Sequence, residues 1–203
     1  MSQQLTWPAS ERNKQPILEV LKTILPSRGL VLEIGSGTGQ HTAYFSANFP
    51  SLTWQSSDME PAHRDSISAW IQESGVDNAP EPLDLDTRAT PWPVTAADAI
   101  ININMLHVTP WSSCSSLFAG AGPVLAAGAP LFLYGPFMRG GQHTSDGNVI
   151  FDADLRRQNP EWGLRDLSHV EAVAEDQGFI IRDIVDMPAN NLSVIFEQPV
   201  QSG

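Results

Sequence analysis

The sequence predicts an α/β fold in which helices cover both faces of a seven-stranded, mostly parallel sheet with one antiparallel strand. Three observations carry that expectation. Strand-like and helix-like segments alternate along most of the chain, as a doubly wound sheet requires. A glycine-rich turn, Gly35 to Gly39, joins an apolar strand to a helix. The last two strand-like runs are separated only by Asp186 to Asn191, short enough for a hairpin that reverses one strand.

Each element has its own signal. Pro16 to Leu25 carries apolar residues at 17, 18, 20, 21, 24 and 25, an amphipathic helix with Pro in its first turn. Leu30 to Ile34 is a short apolar run holding one carboxylate, Glu33, and reads as a buried strand. Helical spacing resumes at Gln40 and closes near Asn48-Phe49-Pro50, after which Leu52 to Asp58 forms a second strand. Arg64 to Ser74 puts Ile67, Trp70 and Ile71 on one helical face and is stopped by Gly75. Pro82 to Asp86 alternates as a third strand end, and Asp98 to Asn104 is a strongly apolar fourth strand. Ser112 to Leu125 is a Ser- and Ala-rich helix, and Pro130 to Tyr134 is the fifth strand. Leu167 to Gln177 forms the last helix; Gly178 to Val185 and Leu192 to Phe196 form the last strands.

Length and composition bound the function. The 203 residues fit one domain spanning 1–203, long enough to bury a full core. One Cys and five His leave no disulfide framework and no paired-cysteine metal site, so no metal is expected. Cys114 reads as a small helix residue. The start, Met1 to Trp7, has neither the basic nor the apolar part of a signal peptide, and no apolar run reaches the length of a membrane span. A reducing cytoplasm and a monomer or homodimer are expected. The 23 acidic residues outnumber 11 basic ones, for a formal charge of −12. Such a surface repels phosphate backbones, which favours a small-molecule substrate over nucleic acid.

A strand that feeds a glycine turn and then a helix lets a ligand approach bare backbone at a helix N-terminus. The spacing selects the ligand. A dinucleotide turn reads G-x-G-x-x-G, whereas here the glycines fall at 35, 37 and 39, two residues after Glu33. This E-x-G-x-G-x-G form resembles motif I of class I S-adenosylmethionine (SAM) methyltransferases. Asp58 ends the second strand 19 residues beyond Gly39, where a carboxylate can accept hydrogen bonds from both ribose hydroxyls. Met59 follows as a soft apolar neighbour for an adenine face.

Over nearly the whole chain the sequence also resembles the uncharacterised group typified by methyltransferase-like protein twenty-six. The resemblance rests on Glu11-Arg12-Asn13-Lys14, Ser36-Gly37-Thr38-Gly39-Gln40-His41, Trp54 to Asp58, Asn104-Met105-Leu106-His107 with Trp111, and Leu133 to Phe137. Phe151-Asp152, Gly163 to Asp166 and Met187 to Asn191 extend it. Asp146-Gly147-Asn148 departs from the acidic-Ser-Asn run more usual there. The resemblance implies a Rossmann-like class I SAM methyltransferase with SAM as cofactor and S-adenosylhomocysteine (SAH) as product; it names no substrate. It also implies that Asp86 accepts from the adenine amino group while the backbone around Leu85 reads the ring edge. Asp86 is preferred to Asp84 because it precedes Trp92 by six residues. Glu33, Gly35, Ser36, Gly37, Gly39 and His41 of the turn are cofactor candidates on the same ground.

Methyl transfer from a sulfonium is an in-line displacement, so alignment in a dry site supplies most of the catalysis. A base is needed only where the nucleophile carries a proton that must leave. The candidates stand at the carboxyl ends of strands four and five. Asn104 could hold the methionine part of SAM, and His107 could be a base, bind the substrate or be a loop histidine. Trp111 could wall the pocket, and the Tyr134 hydroxyl could face the substrate or merely pack. The insertion at 136–165, with Arg139 and His143, reads as a substrate-side cover tacked down by Phe151 and Trp162. Arg12, Asn13 or Lys14 could neutralise the SAM carboxylate. Two other readings remain: a SAM- or protein-binding module without catalysis, and an NAD-dependent oxidoreductase. The glycine spacing and the lack of a Tyr-x-x-x-Lys pair weigh against the latter.

Overall fold

The computed structural model describes residues 4–200. The two ends, 1–3 and 201–203, lie outside the described residues, and with them part of the stretch on which the signal-peptide expectation rests. Helix α1 (Pro8–Ile24) starts well before the expected Pro16, with Pro8 in its first turn and Pro16 inside it. An interior Pro forfeits a backbone bond. Tertiary bonds hold the first half in compensation: Gln40 Nε2 donates to Glu11 Oε1 (2.8 Å), and His41 Nε2 meets Asn13 Oδ1 at 2.7 Å.

The chain continues through β1 (Gly29–Ile34), α2 (Gln40–Asn48), β2 (Leu52–Asp58) and α3 (Pro61–Ser74). Gly75 ends α3 in the left-handed region (φ 66°), as its position predicts. Next come β3 (Leu83–Asp84), β4 (Ala99–Ile103), a 3₁₀ turn at Leu106–Val108, and α4 (Ser112–Ala121), which stops short of the expected Leu125. Strand β5 (Leu131–Gly135) leads into the insertion, which has regular structure that the sequence reading did not assign. It contains a short strand, β6 (Phe137–Met138), and a 13-residue helix, α5 (Asp146–Gln158), capped by the Ser145 hydroxyl accepting from Asn148 N. A short β7 (Arg165–Asp166) pairs with β6. Helix α6 (Leu167–Asp176), β8 (Ile180–Met187) and β9 (Asn191–Glu197) complete the chain.

The main sheet has seven strands in the order β3-β2-β1-β4-β5-β9-β8. Only β9 runs against its neighbours, antiparallel to both β5 and β8, which makes it the one reversed strand. Alternating residues of the central strands feed two apolar layers. Ile100, Leu131, Leu133, Val194 and Phe196 face Leu117 and Phe118 of α4 and Val170 of α6. Ile101, Ile103, Phe132 and Ile195 share the opposite layer with Ile17, Leu18 and Leu21 of α1 and Phe45 of α2. Helices therefore cover both faces. No helix among the described residues is long and apolar enough to cross a membrane.

Candidate functional site

The strand order reverses between β1 and β4, and in open α/β sheets such a switch point leaves a crevice outside the strands' carboxyl ends. The crevice here holds a cavity of about 590 Å³, within the range of small-molecule sites. Of the residues the sequence singled out, Gly35, Gly37, Asp58, Met59, Leu85, Asp86 and Asn104 line it. They come from the ends of four adjacent strands.

Three backbone amides of the glycine turn are engaged within the protein. Ser36 N donates to Ser57 O (2.9 Å), Gly39 N to Ser36 O (3.2 Å) and Gly37 N to Asp58 Oδ2 (2.9 Å). Gly37 sits at φ 58° and Gly39 at φ 89°, both in the left-handed region. A Cβ on Gly39 would stand 2.6 Å from Ile67 Cα, so this glycine lets α2 and α3 meet. A carboxylate bonded to the turn, with those amides already engaged, opposes a phosphate there and suits a ribose.

Asp58 is 6 % exposed and also accepts from Glu60 N (2.9 Å) and faces His63 Nδ1 (3.1 Å) through Oδ1. Burial alone would raise its carboxyl; hydrogen bonds from His63, Glu60 and Gly37 outweigh it and hold the group below its ordinary value. The His63 imidazole is raised, chiefly by that same bond. Asp86 is gripped by Arg88, whose Nε and Nη2 donate to its two oxygens at 3.0 and 2.8 Å, and these bonds lower its pKa. Asn104 holds φ 60°, with its N–H donating to Tyr134 O (2.8 Å), so the end of β4 turns sharply under the cavity.

The other candidates lie elsewhere. Glu33 is 1 % exposed behind β1, where Oε2 accepts from Thr42 Oγ1 (2.8 Å) and Trp54 Nε1 (2.7 Å); burial pushes it up to about 7. Ser36 braces β1 against β2 through Ser57. His41 stacks on Phe45 and meets Asn13, and burial lowers it to about 4. Lys14 pairs with Glu11 and lies over the Tyr44 ring rather than reaching the cavity. Tyr134 is 4 % exposed among the apolar layer, with burial raising its phenol. His107 is buried edge-on to Phe151 and beside Gly135, and burial lowers its imidazole to about 4.

The three candidates assigned to the substrate side lie off the main cavity, Trp111 at the start of α4 and Arg139 and His143 in the insertion. Trp111 lines a separate cavity with Gly140, Arg165 and His169, and the Arg165 guanidinium lies 5.7 Å from its ring. Arg139 pairs with Asp186, and His143 approaches Asp152 at 3.6 Å. Of the two expected tacks, Phe151 meets His107 and Trp162 lines the main cavity. Residues missing from the sequence reading are Trp7, His63, Met105, Arg88 and Ser113, all on the main cavity wall. His63 lies five residues past Asp58 on α3, a spacing that could have marked it. Trp7 carries no such signal.

A sequence family described as a protein of unknown function (DUF938) matches residues 4–198, and the chain belongs to it. Among solved structures, an O-methyltransferase family protein from Burkholderia thailandensis aligns with TM-score 0.77 at 20% identity, over 96% of this chain and 58% of its own. Mitomycin 7-O-methyltransferase aligns with TM-score 0.79 at 15% identity, over 94% and 54%. Human N-acetylserotonin methyltransferase in complex with SAM aligns with TM-score 0.76 at 16% identity, over 95% and 53%. The fold is the class I methyltransferase fold, and the chain spans little more than half the length of these proteins.

Proposed function

We propose that this DUF938 protein is a SAM-dependent methyltransferase acting on a small-molecule acceptor, and that it belongs with the group typified by methyltransferase-like protein twenty-six. One observation carries the reading: the cavity at the switch point gathers Gly35, Gly37, Asp58, Met59, Leu85, Asp86 and Asn104 around one nucleoside-sized space. The residues present fit SAM. Asp58 offers acceptors for ribose hydroxyls, Asp86 an acceptor for an amino group, and Leu85 with Met59 and Met105 apolar contact for a base. The likeness to methyltransferases, one of them in complex with SAM, supports the same class.

Bound SAM would supply an electrophilic methyl group. The chain's own part is to hold and orient. Asn104, turned at the end of β4, presents its side chain beside Gly135 and His107. Ile103, Val108 and Pro110 wall the space and exclude water. His107 stays neutral at physiological pH because burial lowers it to about 4, which makes it a weak base and favours catalysis by alignment. The test is a screen of small amine, hydroxyl, thiol and carboxylate metabolites for SAH production. SAH formed with any one of them supports the reading; NAD binding with no SAM binding overturns it.

A further inference from the structure

Residues Gln4 to Trp7 precede α1 and cross the glycine turn as a strap. Each end is pinned by a different element. Leu5 N donates to Ser66 Oγ of α3 (2.8 Å), and Trp70 Nε1 donates to Leu5 O (2.9 Å). Trp7 N donates to Gln40 Oε1 at the start of α2 (2.7 Å), and Gln40 is itself held by Glu11 and Thr38. The result is a large aromatic side chain with a fixed position over the cavity mouth.

The indole rests on Gly37: a Cβ there would stand 2.6 Å from Trp7 Cζ3. It meets His63 edge-on, with ring centroids 5.6 Å apart. It lines the cavity and is nevertheless 50 % exposed. Beneath it, Gly37 N is taken by Asp58 Oδ2. The space above the turn, where a phosphate would sit at a dinucleotide site, therefore holds an indole edge and a carboxylate.

We propose that Trp7 is a specificity-determining residue, roofing the ribose end of the cavity so that an unphosphorylated nucleoside such as SAH is admitted and a phosphorylated one is refused. The inference rests on the methyltransferase reading and adds to it the residue that selects the nucleoside class. A bound nucleoside covers the remaining face of the indole, and aromatic contact of this kind contributes to affinity. A phosphate on the ribose would have to displace the ring and face the Asp58 carboxylate, which already takes Gly37 N.

The experiment compares wild type, Trp7→Phe and Trp7→Ala by calorimetry with SAH and with ADP, following tryptophan fluorescence in the same titrations. Wild type is expected to bind SAH with a fluorescence change and to show no ADP heat. Trp7→Ala should weaken SAH binding about 10-fold and narrow the preference over ADP. Trp7→Phe should keep most of the affinity and lose the part of the fluorescence change that comes from Trp7. Wild-type SAH affinity and discrimination in Trp7→Ala would overturn the role of Trp7 and leave the methyltransferase reading standing. A wild-type protein that binds ADP and not SAH would overturn both.

Discussion

At the scale of single residues the account turns on Asp58. Its carboxylate takes three hydrogen bonds from protein groups and still lines the cavity. Asp58→Asn keeps the size, removes the charge and is expected to weaken SAH binding at least about 10-fold, as loss of charge-assisted bonds does; calorimetry measures it. The pair with His63 also sets a pH dependence. Asp58 is lowered, so its contribution to stability is present above the ordinary Asp value and fades as pH falls through its folded value. His63 is raised, so its contribution is present below the ordinary His value and fades as pH rises through its folded value. The pair should stabilise most in mildly acidic solution, and thermal melts of His63→Ala should lose that advantage there while matching wild type more closely at alkaline pH. Asp58, Gly37 and Asp86 were legible because motif spacing places them. Trp7 was not, because only folding brings position 7 to the cavity, and Trp162 was read as a tack for the insertion and not as cavity wall.

Among elements, the strand–turn–helix unit β1–α2 was readable in full, since apolar runs and glycines mark both its limits. Helix α1 was read too short because Pro16 looks like a start, while the bonds that extend it, Glu11 to Gln40 and Asn13 to His41, join residues 28 or 29 apart in sequence. Helix α5 was hidden by the glycines and polar residues of the insertion. Asp152 ties it to the end of the insertion by accepting from Leu164 N (2.7 Å), and within the helix it accepts from Arg156 Nε one turn on (3.0 Å). Asp152→Ala should therefore raise hydrogen exchange across 140–164 with little change in the central strands. Packing between α2 and α3 makes a second test. Gly39→Ala places a methyl group against the Ile67 backbone at a left-handed position and should cost about 1–3 kcal/mol, read as a lowered melting temperature.

For the whole molecule, the predicted seven-stranded sheet and its reversed β9 follow from the alternation of elements and the short final connection. What no alternation could supply is the depth of the cavity, which depends on the strap before α1 and on Trp162 from the insertion. The surface carries a formal charge of −12. Eight of the basic residues, Lys14, Lys22, Arg64, Arg88, Arg139, Arg156, Arg157 and Arg182, are paired with carboxylates. Purified protein incubated with SAM should leave tRNA and DNA unmethylated, and robust transfer to either would contradict the small-acceptor account. The central claim is that the switch-point cavity holds the nucleoside of SAM through Asp58. Calorimetric titration of wild type and Asp58→Asn with SAH and with NAD tests it most directly. The account predicts SAH binding by wild type, a marked loss in Asp58→Asn and no heat with NAD; equal SAH affinity in both proteins, or NAD binding without SAH binding, would contradict it.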